Sequence, residues 1–207
     1  MSPLATQLTW SRYTELLSIK DGNKLSYYIN VAKNNSLSKR ELREKIKSKE
    51  YNRLSDEYKN KIIESKCINI SDTVPNPILV KDNKKYNKFS EYALKELILN
   101  NLDDFLSQLG YGFSYVGNEY RIKYNNRYNY IDLLLFNIEY NCYIVVELKV
   151  CELKKEHIGQ IEVYMNYIDK NLKKEFQNKT IGIIICKQDN KYVIKYCSDD
   201  RIIAREY

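Results

Sequence analysis

The sequence has few of the residues that several common kinds of protein require. It contains one histidine, His157, and its five cysteines include no C-x-x-C pair, so a zinc site of the cysteine and histidine type would lack ligands. Any metal ion would have to be held by oxygen atoms. With only six glycines and three prolines in 207 residues, the chain is not of the collagen-like or linker type.

Long apolar runs are also missing. No segment approaches the roughly 18 apolar residues that a membrane-spanning helix needs. The first ten residues carry no basic segment followed by an apolar stretch, so we expect no secretory leader. The odd number of cysteines, several of them inside apolar runs, is typical of reduced thiols. We therefore expect a cytoplasmic protein that makes no membrane contact.

The residues that are present predict a folded protein with an uneven charge. Hydrophobic residues make up 43% of the chain and charged residues 29%, which is enough for a core. Residues 1–88 carry a net charge of +8 and residues 89–207 a net charge of −1, within an overall charge of +7. A basic part joined to a neutral part is typical of a module that attracts a polyanion such as nucleic acid. A lysine-rich solvated surface would give the same numbers.

The first part of the chain reads as short helices. Apolar spacing predicts a helix over Leu8–Lys20, with Trp10, Tyr13, Leu16 and Leu17 near one face, and a second over Leu25–Lys33. Ser38 followed by Glu41 is a capping-box pattern, which predicts a third helix through about Leu54. This third helix is rich in basic residues, of which we expect four to contact nucleic acid: Lys39, Arg40, Arg43 and Lys47. A helical dimerisation module fits the same pattern.

Composition then changes along the chain. Residues 69–88 hold two prolines and a polar, lysine-rich run without apolar periodicity, which predicts a linker. We expect a helical module over residues 1–68 and a second domain over residues 89–207.

The second domain mixes helices and strands. A helix is predicted over Ser90–Leu109, with Leu94, Ile98, Leu102 and either Phe105 or Leu106 in its apolar stripe, and Gly110 ends it. The remaining elements follow in chain order: strands Phe113–Tyr124, Tyr128–Phe136 and Cys142–Val150, helix Glu156–Leu172, the buried run Thr180–Lys187 and a short strand Tyr192–Tyr196. This order predicts a mixed sheet with a helix on each face.

Three charged residues in apolar strands are the candidate catalytic and metal-binding residues. Asp132 lies in one predicted strand, and Glu147 and Lys149 lie two apart in the next. A buried carboxylate is costly unless it is paired or bound to a cation. If the strands pair, both carboxylates reach one ion, with the Leu148 carbonyl between Glu147 and Lys149. Mg²⁺ or Mn²⁺ suits such a site, and Lys149 would orient or deprotonate water or stabilise negative charge on phosphorus. A salt-bridged pair on an exposed sheet face is the structural alternative.

These residues and their neighbours resemble a known family. An aspartate in one strand, E-x-K in the next and Q-x-x-x-Y on the following helix resemble the PD-(D/E)XK nuclease superfamily, and more narrowly the YhcG family. Members of that family join an N-terminal helical domain to a nuclease domain. The matching segments are Leu109-Gly110-Tyr111-Gly112-Phe113, Tyr130-Ile131-Asp132-Leu133-Leu134, Val146-Glu147-Leu148-Lys149, residues 159–167, residues 181–186 and the terminal Ala204-Arg205-Glu206-Tyr207.

The resemblance implies a restriction-endonuclease-like αβββαβ core, an α/β (α+β) fold preceded by a small helical module. It implies Asp132 and Glu147 as metal ligands, Lys149 as the catalytic lysine and Gln160 as a polar residue beside the site. Tyr164 lies one turn after Gln160 on the same helix face. It either belongs to the site or packs in the core.

The sequence departs from the family pattern at two places. Ile131 stands where the motif has proline, a position that binds nothing. In the family, the preceding helix often contributes a glutamate near the metal, but here Lys95 occupies that place. Glu91 or Glu96 could substitute, and we favour Glu91 as the further ligand. The chain also starts inside the family's usual N-terminal domain and stops early, so we expect a trimmed or shortened member.

The expected function is that of a Mg²⁺-dependent or Mn²⁺-dependent endonuclease acting on DNA. The alternative is a non-catalytic nucleic-acid-binding or assembly protein on a nuclease fold. A homodimer is a further expected partner state, because nucleases that cut both strands often pair their sites.

Overall fold

The structure is a computed structural model that describes residues 8–34, 37–63, 73–77, 90–124, 126–195 and 199–207. The chain divides into two compact units, Met1–Pro75 and Asn76–Tyr207. No helix in the described ranges is long and apolar enough to span a membrane.

The first unit is helical. Its helices are α1 (Trp10–Leu16), α2 (Gly22–Asn34), α3 (Lys39–Lys47), α4 (Glu50–Arg53) and α5 (Asp56–Ile63). They enclose a core of nine buried residues: Leu8, Leu16, Tyr27, Tyr28, Ile29, Ala32, Leu42, Leu54 and Tyr58. The core carries one buried carboxylate, Glu50, which accepts hydrogen bonds from the Tyr27 hydroxyl and the Lys45 ammonium, both at 2.7 Å. The pairing compensates the cost of burying that charge.

The predicted capping box is present, but the helix that it starts is shorter than expected. Ser38 Oγ accepts from the Glu41 amide, and the Glu41 carboxylate accepts from the Ser38 amide at 2.7 Å. The helix ends at Lys47 because Lys49 adopts a left-handed backbone conformation, φ 52°, and α4 begins after it. The prediction of one helix through Leu54 was therefore wrong.

The start of the chain departs from the apolar pattern in a similar way. Leu16 is buried, but Trp10 and Leu17 are 74% and 63% exposed, so the predicted apolar face of α1 is narrower than its sequence suggested. Asp21 caps α2, since its carboxylate accepts from the amides of Asn23 and Lys24.

The second unit contains one five-stranded sheet. Its elements are α6 (Glu91–Asn100), α7 (Leu102–Leu109), β1 (Phe113–Tyr124), β2 (Arg127–Asn137), β3 (Cys142–Glu152), α8 (Lys155–Asn171), β4 (Ile181–Gln188), α9 (Lys191–Lys195) and β5 (Ile202–Glu206). The strands lie in the order β1-β2-β3-β4-β5. The first three are antiparallel neighbours, and β3, β4 and β5 are parallel. This is the predicted mixed αβββαβ core with one additional strand.

Two predicted elements of this unit were wrong in detail. The single helix Ser90–Leu109 is broken at Asn101, and its buried member in the second half is Phe105 rather than Leu106. The predicted strand Tyr192–Tyr196 is a helix over Lys191–Lys195, and Tyr196 lies outside the described residues. The Asn190 carboxamide accepts from the amides of Tyr192 and Val193, which starts that helix. The last strand is Ile202–Glu206.

Helix α8 packs against β3, β4 and β5, and α6 contacts β3. The core beneath α8 includes Leu134, Val145, Ile161, Met165 and Ile184, all fully buried. The helix approaches β4 closely at Gly182, where a Cβ would lie 2.6 Å from Met165 Sδ and 2.9 Å from Ile161 Cδ1.

Charged residues hold the far end of α8. Asp169 accepts from both the amide and the hydroxyl of Thr180 and from Arg201, so it ties the end of the helix to the starts of β4 and β5. The opposite end of α8 faces the charged residues of β2 and β3.

Candidate active site

The site forms where β2 and β3 separate. The two strands are paired from Asn137–Cys142 to Leu133–Val146, and no pair beyond Leu133–Val146 is present in the described part of the sheet. Asp132 and Glu147 are the next residue on each strand. Past this point the Leu148 amide donates to Asp132 Oδ2 at 2.9 Å, so a side chain replaces the strand carbonyl as acceptor. The separation leaves two carboxylates facing a shared space.

Glu147 is the most buried acid of the site. Its side chain is 3% exposed, and Oε1 has no hydrogen-bond partner among the described residues. Burial, together with the nearby charge of Asp132, raises the pKa of Glu147 to about 8, although Lys149 opposes the rise. A buried carboxylate oxygen without a donor is costly, and it is the feature that a bound cation would satisfy.

Lys149 sits between two acids. Its ammonium lies 3.3 Å from Glu147 Oε2 and 3.7 Å from Glu91 Oε2. Burial by itself lowers the pKa of Lys149, but the two carboxylates outweigh it and the net direction is upward. Glu91, at the start of α6, therefore approaches the site as a partner of the lysine.

Asp132 is half-buried, and burial raises its pKa despite the Leu148 amide and the nearby charges of Lys149 and Lys95. Lys95 follows Glu91 by one helical turn, and its ammonium binds Glu119 of β1. The charges around the two site acids thus come from α6 as well as from the strands.

Helix α8 adds polar groups beside the acids. The Gln160 amide donates to the Tyr164 hydroxyl at 3.0 Å. Tyr164 is buried, which raises its pKa, and Glu147, Lys149 and Asp132 all influence that pKa. The expectation that Gln160 and Tyr164 share one helix face is met. Tyr164 packs in the core, and a role for it in the site stays a prediction.

His157 is a neighbour of the site that sequence reasoning missed. It is buried at the start of α8, and its Nδ1 accepts from the Lys154 amide at 3.1 Å, which leaves its proton on Nε2. Burial, followed by the charge of Lys149, lowers the pKa of His157. The signal that could have found it is its spacing of three and seven residues from Gln160 and Tyr164 on one helix face.

The acids of the site fit an ion that takes few protein ligands. No group of three or more His, Cys, Asp or Glu side chains in the described ranges is arranged to hold an ion by itself. Mg²⁺ commonly binds through one or two carboxylates and completes its shell with water and phosphate oxygens. Asp132 and Glu147 match that need, and the supporting atom is Glu147 Oε1, which has no hydrogen-bond partner in the described part of the chain. The structure places Leu148 through its amide, so its carbonyl as a ligand stays a prediction.

The predicted nucleic-acid contacts on α3 have internal partners. Arg43 makes two hydrogen bonds to the Glu15 carboxylate, at 2.9 and 2.7 Å, and the Lys39 ammonium lies 3.5 Å from the same group. The Arg43 guanidinium lowers the pKa of Glu15 to about 2. Lys47 lies 3.6 Å from Glu44, and Arg40 is exposed. Two of the four residues therefore share a single carboxylate.

The order of strands, the two acids at the strand separation and the adjoining lysine define a restriction-endonuclease-like domain. The model of the YhcG PDDEXK nuclease domain matches residues 72–207, and that of the DUF1016 N-terminal domain matches residues 1–53. The chain belongs to the YhcG PDDEXK nuclease family.

Known relatives and structures are similar to the chain over different lengths. The Escherichia coli (strain K12) protein named "Putative nuclease YhcG" is 26% identical over 216 residues, and the chain spans 58% of that protein's length. A crystal structure of a repair endonuclease from Pyrococcus abyssi shows 17% identity and a TM-score of 0.41, covering 59% of this chain and 49% of that one. A structure of an EndoMS–dsDNA complex shows 18% identity and a TM-score of 0.45, covering 62% and 48%.

Proposed function

We propose that the protein is a metal-dependent nuclease that hydrolyses phosphodiester bonds in DNA. The observation that carries the proposal is the pair of carboxylates at the strand separation, beside a lysine. One of them has a buried oxygen without a hydrogen-bond donor among the described residues. Membership of the nuclease family supports the same chemistry.

Asp132 and Glu147 would hold Mg²⁺ or Mn²⁺ in this proposal. When bound, such an ion polarises the phosphodiester and lowers the pKa of its water. The Leu148 amide fixes the Asp132 carboxylate, so the residue reaches the shared space in one orientation. The buried walls around Glu147 exclude bulk water, which strengthens electrostatic interactions inside the site.

Lys149 would interact with the substrate or the attacking water in this proposal. Its ammonium is held at the edge of the site by Glu147 and Glu91, where it can stabilise negative charge on the phosphorus oxygens or orient the attacking water. Gln160 and Tyr164 would position groups from the helix side, since their hydrogen bond fixes both side chains. Glu91 would tune and orient Lys149.

Cleavage of supercoiled plasmid DNA tests the proposal. We expect nicked or linear product with Mg²⁺ or Mn²⁺, none with EDTA, and at least a hundredfold loss in Glu147→Gln. Glu175→Gln removes the same charge at an exposed position and should cleave like the unaltered protein. The ratio of nicked to linear product reports whether one site or a pair acts.

Two results would count against the proposal. Undiminished cleavage by Glu147→Gln would remove the site from the reaction. Salt-sensitive binding without cleavage under any divalent ion would favour the alternative, a binding protein on a nuclease fold. Preferential cleavage of an RNA of the same sequence would show that the substrate is RNA rather than DNA.

The free thiols of Cys142, Cys151 and Cys186 support a reducing compartment, and we propose the cytoplasm.

A further inference from the structure

The ends of β1 and β2 form a two-stranded hairpin that extends beyond the last pair with β3. Residues 127–131 of β2 pair with residues 120–124 of β1, whereas pairing with β3 begins only at Leu133. We call residues 120–124 and 126–131 the hairpin arm. Its β2 strand leads into Asp132, so Tyr130 lies about 7 Å from that residue along the strand, at about 3.3 Å per residue.

The two faces of the hairpin arm differ. Ile122 and Ile131 are fully buried and belong to the core cluster beneath α8. On the outer face, Arg121 pairs across the strands with Tyr130, and Lys123 pairs with Tyr128. Cross-strand partners share a face of the sheet, so these four side chains lie together. All four are exposed, the two tyrosines by 56% and 54%.

The outer face carries two basic residues, Arg121 and Lys123, and no acidic residue. Within the described ranges, neither forms an ion pair with a carboxylate, in contrast to Arg43 and its partner Glu15. Arg127 pairs with Tyr124, so it lies on the other face of the hairpin arm.

Arg121 and Tyr128 already adopt a stacked arrangement. The guanidinium carbon lies 4.9 Å from the centroid of the Tyr128 ring, which is a cation–π contact across the two strands. Basic side chains alternating with exposed aromatic rings form the surface that binds single-stranded nucleic acid, where phosphates meet the charges and bases stack on the rings. Bases within a duplex are already stacked on each other, so the rings select unpaired bases.

We propose that the outer face of the hairpin arm binds a single-stranded segment of DNA next to the scissile bond. Arg121 and Lys123 contact its phosphates, and Tyr128 and Tyr130 stack on its unpaired bases. The inference deepens the proposed function, because the position of the arm beside Asp132 gives the bound strand its relation to the acids.

Binding without cleavage tests the inference separately from the reaction. The full-length protein is titrated into a fluorescein-labelled single-stranded DNA 20-mer in EDTA, and anisotropy is followed at several salt concentrations. Combining Arg121→Gln and Lys123→Gln should weaken binding at least tenfold and reduce the salt slope by about two. Lys174→Gln with Lys187→Gln removes equal charge at exposed positions of the same unit and should change binding less than threefold.

The tyrosines are tested on two forms of DNA. Tyr128→Ser with Tyr130→Ser should weaken binding of the single strand about fivefold or more, and should leave a blunt duplex of the same sequence nearly unchanged. Tyr192→Ser with Phe176→Ser removes two rings that are each 77% exposed and serves as the matched control.

Each outcome separates the inference from the proposed function. Equal effects of the arm and control variants, or no binding by the unaltered protein at low salt, would overturn the inference even if plasmid is cleaved. An equal tyrosine effect on the duplex would overturn the assignment to unpaired bases. Arm-dependent binding by a protein that never cleaves would sustain the inference and reject the nuclease proposal.

Discussion

Glu147 combines a functional position with a cost to stability. Its carboxylate is buried, one oxygen has no donor among the described residues, and its pKa is raised to about 8. The unfolded chain releases this proton near its ordinary value of 4.5, whereas the folded protein keeps it until about pH 8. Between these values the folded state binds more protons, so the free energy of unfolding falls as pH rises.

We therefore expect Glu147→Gln to stabilise the metal-free protein at alkaline pH while abolishing cleavage. The gain should be roughly 5 kcal/mol at pH 9 and should nearly vanish at pH 4, since each pKa unit between 4.5 and about 8 is worth about 1.4 kcal/mol. Urea unfolding in EDTA across this range measures it. Equal stability of the two proteins at pH 9 would show that Glu147 ionises without a penalty.

At the scale of elements, the placement of α8 depends on glycine in β4. A Cβ at Gly182 would lie less than 3 Å from Met165 Sδ and Ile161 Cδ1, so these two side chains of the helix would have to shift. The same helix carries Gln160 and Tyr164, which links this contact to the site.

Two alanine substitutions should have opposite effects on stability. Gly182→Ala should destabilise the protein by about 1–3 kcal/mol through overpacking and should reduce cleavage. Gly159→Ala, in α8 with open space around its Cβ position, should stabilise it by about 0.5–1 kcal/mol because alanine is the better helix former. Chemical denaturation compares them, and a stabilising Gly182→Ala would contradict the packing argument.

Helix α3 offers a second prediction at this scale. Glu15 neutralises Arg43 and Lys39, so Glu15→Gln should release both and raise the affinity for DNA several-fold, with a salt slope steeper by about one or two. The comparison is with Glu175→Gln, which makes the same change of net charge at an exposed site. An equal rise in both variants would mean that α3 makes no specific contact.

For the whole molecule, each compact unit has its own buried cluster. Leu42 is fully buried in the helical unit, and Leu134 is fully buried in the sheet unit. Leu42→Ala should cost about 2–5 kcal/mol and should first remove hydrogen-exchange protection from residues 8–63. Leu134→Ala should act first on residues 113–188. Simultaneous loss of protection in both units, for either variant, would show that they unfold together.

Sequence patterns predicted the elements that have strong local signals. The first three strands of the sheet, the capping box of Ser38 and Glu41, and the placement of Asp132 and Glu147 on neighbouring apolar strands all follow from spacing and burial. The interruptions of the predicted helices at Lys49 and Asn101 are marked by neither glycine nor proline, so the sequence did not predict them. The alternating pattern of residues 192–196 favoured a strand, but the cap from Asn190 made it a helix.

The features that sequence patterns did not predict depend on contacts between residues distant in sequence. The approach of Glu91 to Lys149 joins residues 58 positions apart, and no local pattern encodes it. The partnership of Glu15 with Arg43 is similar, since both look like ordinary surface charges until α1 and α3 are brought together. The hairpin arm was predicted as two strands, but its outer face became visible only from the cross-strand register.

The hydrogen bond from the Leu148 amide to Asp132 affects how the phenotypes of mutants at position 132 should be interpreted. Replacing Asp132 with alanine removes the proposed metal-binding carboxylate. It also removes the hydrogen-bond acceptor of the Leu148 amide where β2 and β3 separate. A null phenotype at that codon therefore mixes lost chemistry with lost abundance. Asparagine keeps an oxygen for the amide, so only the contrast between the two alleles isolates the chemical defect.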